Sequence, residues 1–368
     1  MNDNRNQFSA PNEGSGAVWI LGATGRVGRA VAARLGGRGC PVVLAGRDRR
    51  RLDGVAAELP DQVRVVSGSL AETLRVLGHE EPAVVVNTVG PFPETAPQVL
   101  AALPSKTHYV DVANEKAAVA NLLLRPRSAD ASRTVVTGVG FGVLGTESVV
   151  RTLCAGRPPA RSVRVDMIPS VETEAGRVGI ALARSLVDGL ADGGAVIAGG
   201  QPVPAALGVD PEELVTPDGD RVRTAGMPSG ELIAAWRASR AASVVAASSM
   251  VPSGRIRPLL PVATGLLRSG PLRKLAASRM ARMTMGERPK PRAHTWAHAR
   301  VIWDDEVAEG WLRAPEGMQF TSNVIAQAVI RLLDGGTPPG VYTPGEVFGP
   351  ELAVAAGGEF VLPTVQRS

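Results

Sequence analysis

Ala17-Val18-Trp19-Ile20-Leu21-Gly22-Ala23-Thr24-Gly25-Arg26-Val27-Gly28 decides the fold. An apolar run enters a G-x-x-G-x-x-G turn, and Val27, Val31 and Leu35 then recur at four-residue spacing. That pattern predicts a strand, a tight loop and a helix with one buried face. Gly22 permits the turn, Gly25 lets the backbone approach a pyrophosphate, and Gly28 lets helix and strand pack closely. The unpaired amides and positive dipole end of the helix then face phosphate oxygens. Gly22, Thr24, Gly25, Arg26, Val27 and Gly28 are therefore expected on a dinucleotide.

The next strand bears on which dinucleotide. Pro41-Val42-Val43-Leu44-Ala45 ends in Gly46-Arg47-Asp48. An acidic residue at this strand end holds the ribose 2′-hydroxyl of NAD, whereas an Arg accommodates the 2′-phosphate of NADP. Arg47 comes first here, with Arg49, Arg50 and Arg51 behind it, and a planar guanidinium can grip phosphate oxygens with two hydrogen bonds. The position of Asp48 suits a helix cap. The expected cofactor is NADP.

Strand and helix continue to alternate. Further strands are expected at 63–66, 83–87, 107–110 and 134–137, and helices at about 49–58, 71–77, 97–103 and 115–124. Together these predict a Rossmann-type doubly wound parallel sheet over residues 16–145, after a disordered tail at 1–15. Ligands of such sheets lie at the carboxyl ends of the strands. That places Asn87, Thr88, Val89, Gly90, Pro91 and Phe92 beside the cofactor, together with the segments 109–115 and 138–142.

Four stretches carry a family resemblance. They are Gly-Ala-Thr-Gly-Arg-Val-Gly at 22–28, Asn-Thr-Val-Gly-Pro-Phe at 87–92, His-Tyr-Val-Asp at 108–111 with Glu115, and Gly-Phe at 140–141. The chain resembles the saccharopine dehydrogenase-like oxidoreductases. Gly340-Val341-Tyr342-Thr343-Pro344 with Phe348-Gly349 is similar to the short branch that includes trans-acting enoyl reductases. The resemblance implies an NADPH-dependent reductase with Tyr109, Asp111 and Glu147 as catalytic candidates. After Gly-Phe the family pattern reads Asp-Ser-x-Pro-Ser-Asp. Gly142-Val143-Leu144-Gly145-Thr146-Glu147 keeps only its last acidic position, as Glu, and Ala113-Asn114 replaces the usual Thr-Gly. Those departures point away from saccharopine itself and toward a specialised-metabolite or acyl intermediate, free or bound to a carrier protein. A non-catalytic dinucleotide-sensing or lipid-associated protein and a saccharopine-type dehydrogenase are the alternatives.

The second half reads as an α+β substrate domain at 146–318, with 319–368 packing back on the Rossmann domain. A helix at about 146–155 precedes a strand at 162–168, and Leu182, Leu186 and Leu190 mark an amphipathic helix. Residues 199–230, rich in Gly and Pro, read as loop. The stretches 294–301 and 309–312 read as paired strands, and Thr321 or Ser322 is expected to cap a final helix that Gly335-Gly336 ends. His294 and His298 lie on a strand without a third metal ligand in view. Between residues 254 and 292, ten Arg or Lys stand against the single acid Glu287, which suggests a solvated lid or a dock for an acidic carrier protein or membrane surface. That segment carries no aromatic residue to stack bases, which argues against nucleic acid.

Composition narrows the classes further. Two cysteines, Cys40 and Cys154, lack metal-type spacing and point to a reducing compartment. Neither an apolar leader nor a run long enough to cross a membrane is evident, so a cytoplasmic enzyme is expected, with a homodimer left open. The charge of +5 rests almost wholly on arginine, only four residues being lysine, and says little about partners.

Overall fold

The computed structural model describes residues 16–60, 63–124, 132–172, 175–178, 180–227, 229–251, 260–287, 289–362 and 366–367. The tail expected at 1–15 lies outside them. The first half alternates β1 (Val18–Leu21), α1 (Arg26–Gly36), β2 (Val42–Gly46), α2 (Arg49–Ala57), β3 (Val63–Ser67) and α3 (Leu70–Leu77). It continues with β4 (Val84–Asn87), α4 (Phe92–Ala102), β5 (His108–Asp111), α5 (Lys116–Leu123), β6 (Thr134–Val136) and α6 (Phe141–Cys154). All these strands pair in parallel. β1 and β4 are buried along their whole length, as continuous apolar strands covered on both faces must be, whereas β3 at the sheet edge is half exposed.

The second half runs through β7 (Ser162–Ile168), β8 (Gly176–Arg177), α7 (Ile180–Asp192), β9 (Gly194–Ala198), β10 (Gln201–Ala205), β11 (Glu212–Val215) and β12 (Arg221–Gly226). Next come α8 (Gly230–Ser239), β13 (Ser243–Ser248), α9 (Leu260–Leu267), α10 (Gly270–Arg282), β14 (Thr284–Met285), β15 (Thr295–Ile302) and β16 (Glu306–Ala314). The C-terminal stretch holds α11 (Gly317–Leu333), β17 (Gly340–Tyr342), α12 (Pro344–Phe348), α13 (Glu351–Ala355), β18 (Glu359–Val361) and β19 (Gln366–Arg367).

Two large sheets organise these elements. The parallel sheet has the order β17-β6-β5-β4-β1-β2-β3, so strand order reverses between β1 and β4. A mixed sheet runs β10-β9-β13-β7-β15-β16-β18. Helix α6 links the two and packs Gly145 against Ala297 of β15. The C-terminal stretch divides: α11 packs on α1 and β17 joins β6, while β18 and β19 pair with β16.

Several local expectations need correction. α4 begins at Phe92 rather than at Pro97, which sits inside the helix; Pro93 occupies the first turn, where a missing N–H costs nothing. Residues 201–205, 212–215 and 221–226 are strands, not loop; Pro202 and Pro204 lie on β10 at the sheet edge, where no ladder bond is lost. On α7 Ala183, Val187 and Ala191 are buried among the described residues, whereas Leu186 is exposed and the Leu182 side chain lies outside the described residues. α11 starts at Gly317 with Glu316 as its cap, and Thr321 instead accepts a hydrogen bond from the Phe141 amide. Asp48 caps α2, accepting from the Arg51 amide at 3.1 Å. Gly335 and Gly336 take positive φ values of 80° and 79° at the end of α11.

No helix among the described residues is long and apolar enough to cross a membrane.

Candidate functional site

The glycine loop joins β1 to α1 at the reversal of strand order. Gly22 has φ +81°, and a Cβ built there would lie 2.6 Å from Thr88 Oγ1. A Cβ on Gly28 would lie 2.4 Å from the Gly22 carbonyl oxygen, so only glycine lets the helix sit this close to the strand. Gly25 precedes α1 in ordinary extended backbone and is exposed. The start of α1 carries neither a side-chain cap nor an acidic residue in its first turn. Its leading amides are thus available to an anion, as a pyrophosphate cradle requires. Val27 packs against the core, and the Arg26 guanidinium crosses to the Glu172 carbonyl at 2.6 Å and to Glu316 at 3.4 Å.

At the end of β2, Arg47 is exposed and its side chain makes no hydrogen bond among the described residues. Arg51, on the first turn of α2, donates to the Thr24 carbonyl at 3.3 Å. The Arg51 guanidinium therefore joins the start of α2 to the glycine loop, and Arg47 stands exposed at the end of β2 beside it.

The β4 end is built by hydrogen bonds. Asn87 is fully buried; its amide donates to Tyr109 Oη at 3.1 Å, and its oxygen accepts from the Val89 amide at 3.0 Å. Thr88 Oγ1 donates to the Leu21 carbonyl at 2.7 Å, fastening this loop to the glycine turn. Gly90 and Pro91 are joined by a cis peptide, and Phe92 packs inward on Ala113, Val119 and Ile233.

The three catalytic candidates do not open onto this cleft. Tyr109 and Asp111 are both fully buried, and the Tyr109 hydroxyl donates to Asp111 Oδ2 at 3.1 Å. Asp111 Oδ1 accepts from Thr137 Oγ1 and from the amides of Ala113 and Gly138, at 2.9–3.1 Å. Burial pushes the Asp111 carboxyl up to about 6 although these donors favour its charge, and burial raises the Tyr109 hydroxyl as well. Glu147 of α6 is fully buried, accepting from Thr343 at 2.6 Å, Arg151 at 2.8 Å and the Gly345 amide at 2.9 Å. Each binds one segment of the fold to another.

Two other groups do face the loops at the strand ends. Lys116, the first residue of α5, is half-buried and makes no hydrogen bond or ion pair among the described residues. It lines a pocket with Pro91, Pro93, Glu115 and, from α7, Asp188, Gly189 and Asp192. A cation at the positive end of a helix is disfavoured by the dipole, so the helix gains nothing from this lysine. Glu231, on the first turn of α8, is 1% exposed and has no cationic partner among the described residues. With the Asn114 amide turned to donate, its nitrogen lies 3.1 Å from both Glu231 oxygens. Burial raises the Glu231 carboxyl. The Gly230 amide donates to the Asn114 carbonyl at 2.9 Å, and Ser229 bridges to Glu115, so α8 is bonded to the β5–α5 loop. The rarity of lysine and its place beside Glu115 were visible signals for Lys116. Glu231 had none, because its neighbours Asn114 and Gly142 are distant in sequence.

His294 and His298 serve the second sheet. His298 is fully buried, with Nδ1 2.8 Å from Asp166 and Nε2 2.7 Å from Glu309. His294 Nδ1 lies 3.2 Å from Asp218.

Comparison with known proteins agrees with this geometry. Residues 18–138 match the model of the saccharopine dehydrogenase NADP binding domain. No curated protein sequence matches the chain significantly. Among solved structures, saccharopine dehydrogenase (L-Glu forming) from Saccharomyces cerevisiae is similar with a TM-score of 0.59 at 13% identity, over 95% of this chain and 100% of that one. Serine dehydrogenase from Escherichia coli matches with a TM-score of 0.29 at 16% identity, over 33% of this chain and 80% of that one. FolM alternative dihydrofolate reductase 1 from Brucella suis, solved with NADP, also gives 0.29 at 16% identity, over 33% and 70%. The glycine turn suits a dinucleotide, and residues 18–138 belong to the saccharopine dehydrogenase NADP binding domain family; the fold of the whole chain is similar to that of the yeast enzyme.

Proposed function

We propose that the enzyme reduces an activated double bond, C=N or C=C conjugated to a carbonyl, in a specialised-metabolite or acyl substrate, free or carrier-bound. Lys116 carries this reading. It is a half-buried ammonium, without a partner among the described residues, in a pocket beside Pro91 and Pro93 at the β4–α4 loop.

The loop amides of residues 25–28 hold the pyrophosphate, and Arg47 with Arg51 grips the 2′-phosphate. Thr88, Val89, Gly90 and Pro91 form the wall on the nicotinamide side, with Phe92 packed behind them as support. Bound NADPH supplies a hydride, two electrons and one hydrogen, to the electron-poor carbon of the substrate. The negative charge that develops on the substrate oxygen or nitrogen falls within reach of the Lys116 ammonium. Lys116 Nζ then gives a proton to the α-carbon or the nitrogen, and water restores it. Glu115 and Asn114 hold the start of α5 in place through Ser229 and Gly230. Tyr109, Asp111 and Glu147 are assigned to the framework and not to proton transfer.

A panel of conjugated enones, enoyl thioesters and cyclic imines, followed by NADPH oxidation, tests this. Lys116→Met should lower kcat by roughly 10²- to 10⁴-fold with unchanged NADPH affinity, and Lys116→Arg should recover part of the loss. Tight NADPH binding without turnover of any acceptor would favour a dinucleotide sensor instead.

A further inference from the structure

Helices α9 and α10 form a hairpin that rests on α7. Its outer face carries an unusual share of exposed apolar side chains. Val262 and Leu266 of α9 are 61% and 57% exposed; Leu272 and Leu275 of α10 are 43% and 53% exposed. Met283 and Met285, which follow α10 directly in the chain, are 60% and 40% exposed. Arg268, Lys274, Arg279 and Arg282 are interspersed among them, and their side chains pair with nothing among the described residues. Leu272, Leu275, Arg279 and Arg282 follow helical spacing along one side of α10. Arg273 is used differently: it bonds the Leu267 carbonyl at 3.1 Å and faces Asp188 at 3.8 Å, holding the hairpin to α7.

We infer that the outer face of the α9–α10 hairpin docks on an anionic lipid membrane. Apolar side chains with cations distributed among them match the interfacial zone of a bilayer, where the chains enter the acyl boundary and the cations meet acidic headgroups. A second copy of the chain fits poorly, because a two-fold contact would press two faces of the same positive charge together. An acidic protein is the weaker choice, since the patch lacks the aromatic anchors that concentrate in protein interfaces. The inference stands independently of the proposed chemistry. It also gives the pocket a source of substrate, because α7 lies between the hairpin and the pocket beside Lys116.

Flotation of the purified protein with vesicles tests it, using phosphatidylcholine alone and phosphatidylcholine containing a third of phosphatidylglycerol. The wild type should float with the anionic vesicles only, and less as salt is raised. Arg279→Gln with Arg282→Gln should lower partitioning roughly 30-fold, since each basic side chain near an anionic surface contributes about a factor of five. Leu272→Glu with Leu275→Glu should abolish it, while both double variants keep wild-type NADPH affinity as proof of folding. Flotation with neither vesicle, equal flotation with both, or variants that float like wild type would overturn the inference. So would a wild type that ignores vesicles yet forms a stable complex with a purified acidic carrier protein.

Discussion

Gly22 and Thr88 meet where the order of the parallel strands reverses, with the Thr88 hydroxyl only 2.6 Å from where a Gly22 Cβ would sit. The Thr88 hydroxyl is already committed to the Leu21 carbonyl, so neither side can yield. The glycine turn and the β4–α4 loop are thus held as one unit.

That contact separates two glycine variants. Gly22→Ala combines a positive φ with a backbone-anchored clash and should cost roughly 2–4 kcal/mol of stability. Gly25→Val meets only a 3.2 Å approach to the Gly22 carbonyl, so the fold should survive. Its branched side chain fills the space the pyrophosphate needs, and NADPH binding should be lost. Thermal melting with calorimetric titration distinguishes them; a Gly25→Val protein that binds NADPH normally would contradict the cradle.

Framework and catalysis are separable at β5. Asp111→Ala removes the acceptor of four hydrogen bonds and should destabilise by at least about 3 kcal/mol. Tyr109→Phe removes one buried hydroxyl and should cost about 1 kcal/mol, with turnover within roughly twofold of wild type. A drop in kcat of about 100-fold with an unchanged melting temperature would restore Tyr109 as the proton donor.

His298 makes stability depend on pH. Burial alone would lower its basicity, yet hydrogen bonds and charges from Asp166 and Glu309 outweigh that and raise it. Arg164, Thr224 and Arg300 complete the surroundings on the same sheet face. A raised histidine gives stability that is fully present below its unfolded value and fades as pH climbs through the folded one. Asp166 and Glu309 are held below the usual carboxylate range, so their contribution fades as pH falls through their folded values. Denaturant melts of wild type should peak in mildly acidic solution. His298→Ala should cost about 3 kcal/mol there and clearly less at alkaline pH. A penalty independent of pH would show that the imidazole packs as a neutral group.

The Rossmann half was legible because its signals are local. A glycine turn, a capping Asp48 and continuous apolar strands each declare themselves within a few residues. The second half was less so. Pro202 and Pro204 read as loop because edge-strand position is a property of the sheet, not of the stretch. Leu186 read as core because leucine spacing outweighed the smaller Ala183, Val187 and Ala191 that are buried on α7. Tyr109 and Asp111 sit at a strand end, as expected, but no sequence pattern tells an inward polar pair from an outward one. Glu231 was invisible because its environment comes from α6 and the β5–α5 loop.

Cofactor choice is the most direct test of the account, and it rests on Arg47. Its guanidinium, exposed and without a partner among the described residues, can meet the adenosine 2′-phosphate that NADP has and NAD lacks. A hydrogen bond to a charged group contributes roughly 1.5–3 kcal/mol, equivalent to about a 10- to 150-fold preference. Side-by-side calorimetric titration of NADPH and NADH into wild type and Arg47→Ala measures it. Wild type should prefer NADPH, and Arg47→Ala should weaken NADPH by about that factor while NADH affinity is unchanged. Equal loss for both cofactors, or a wild type that prefers NADH, would contradict it.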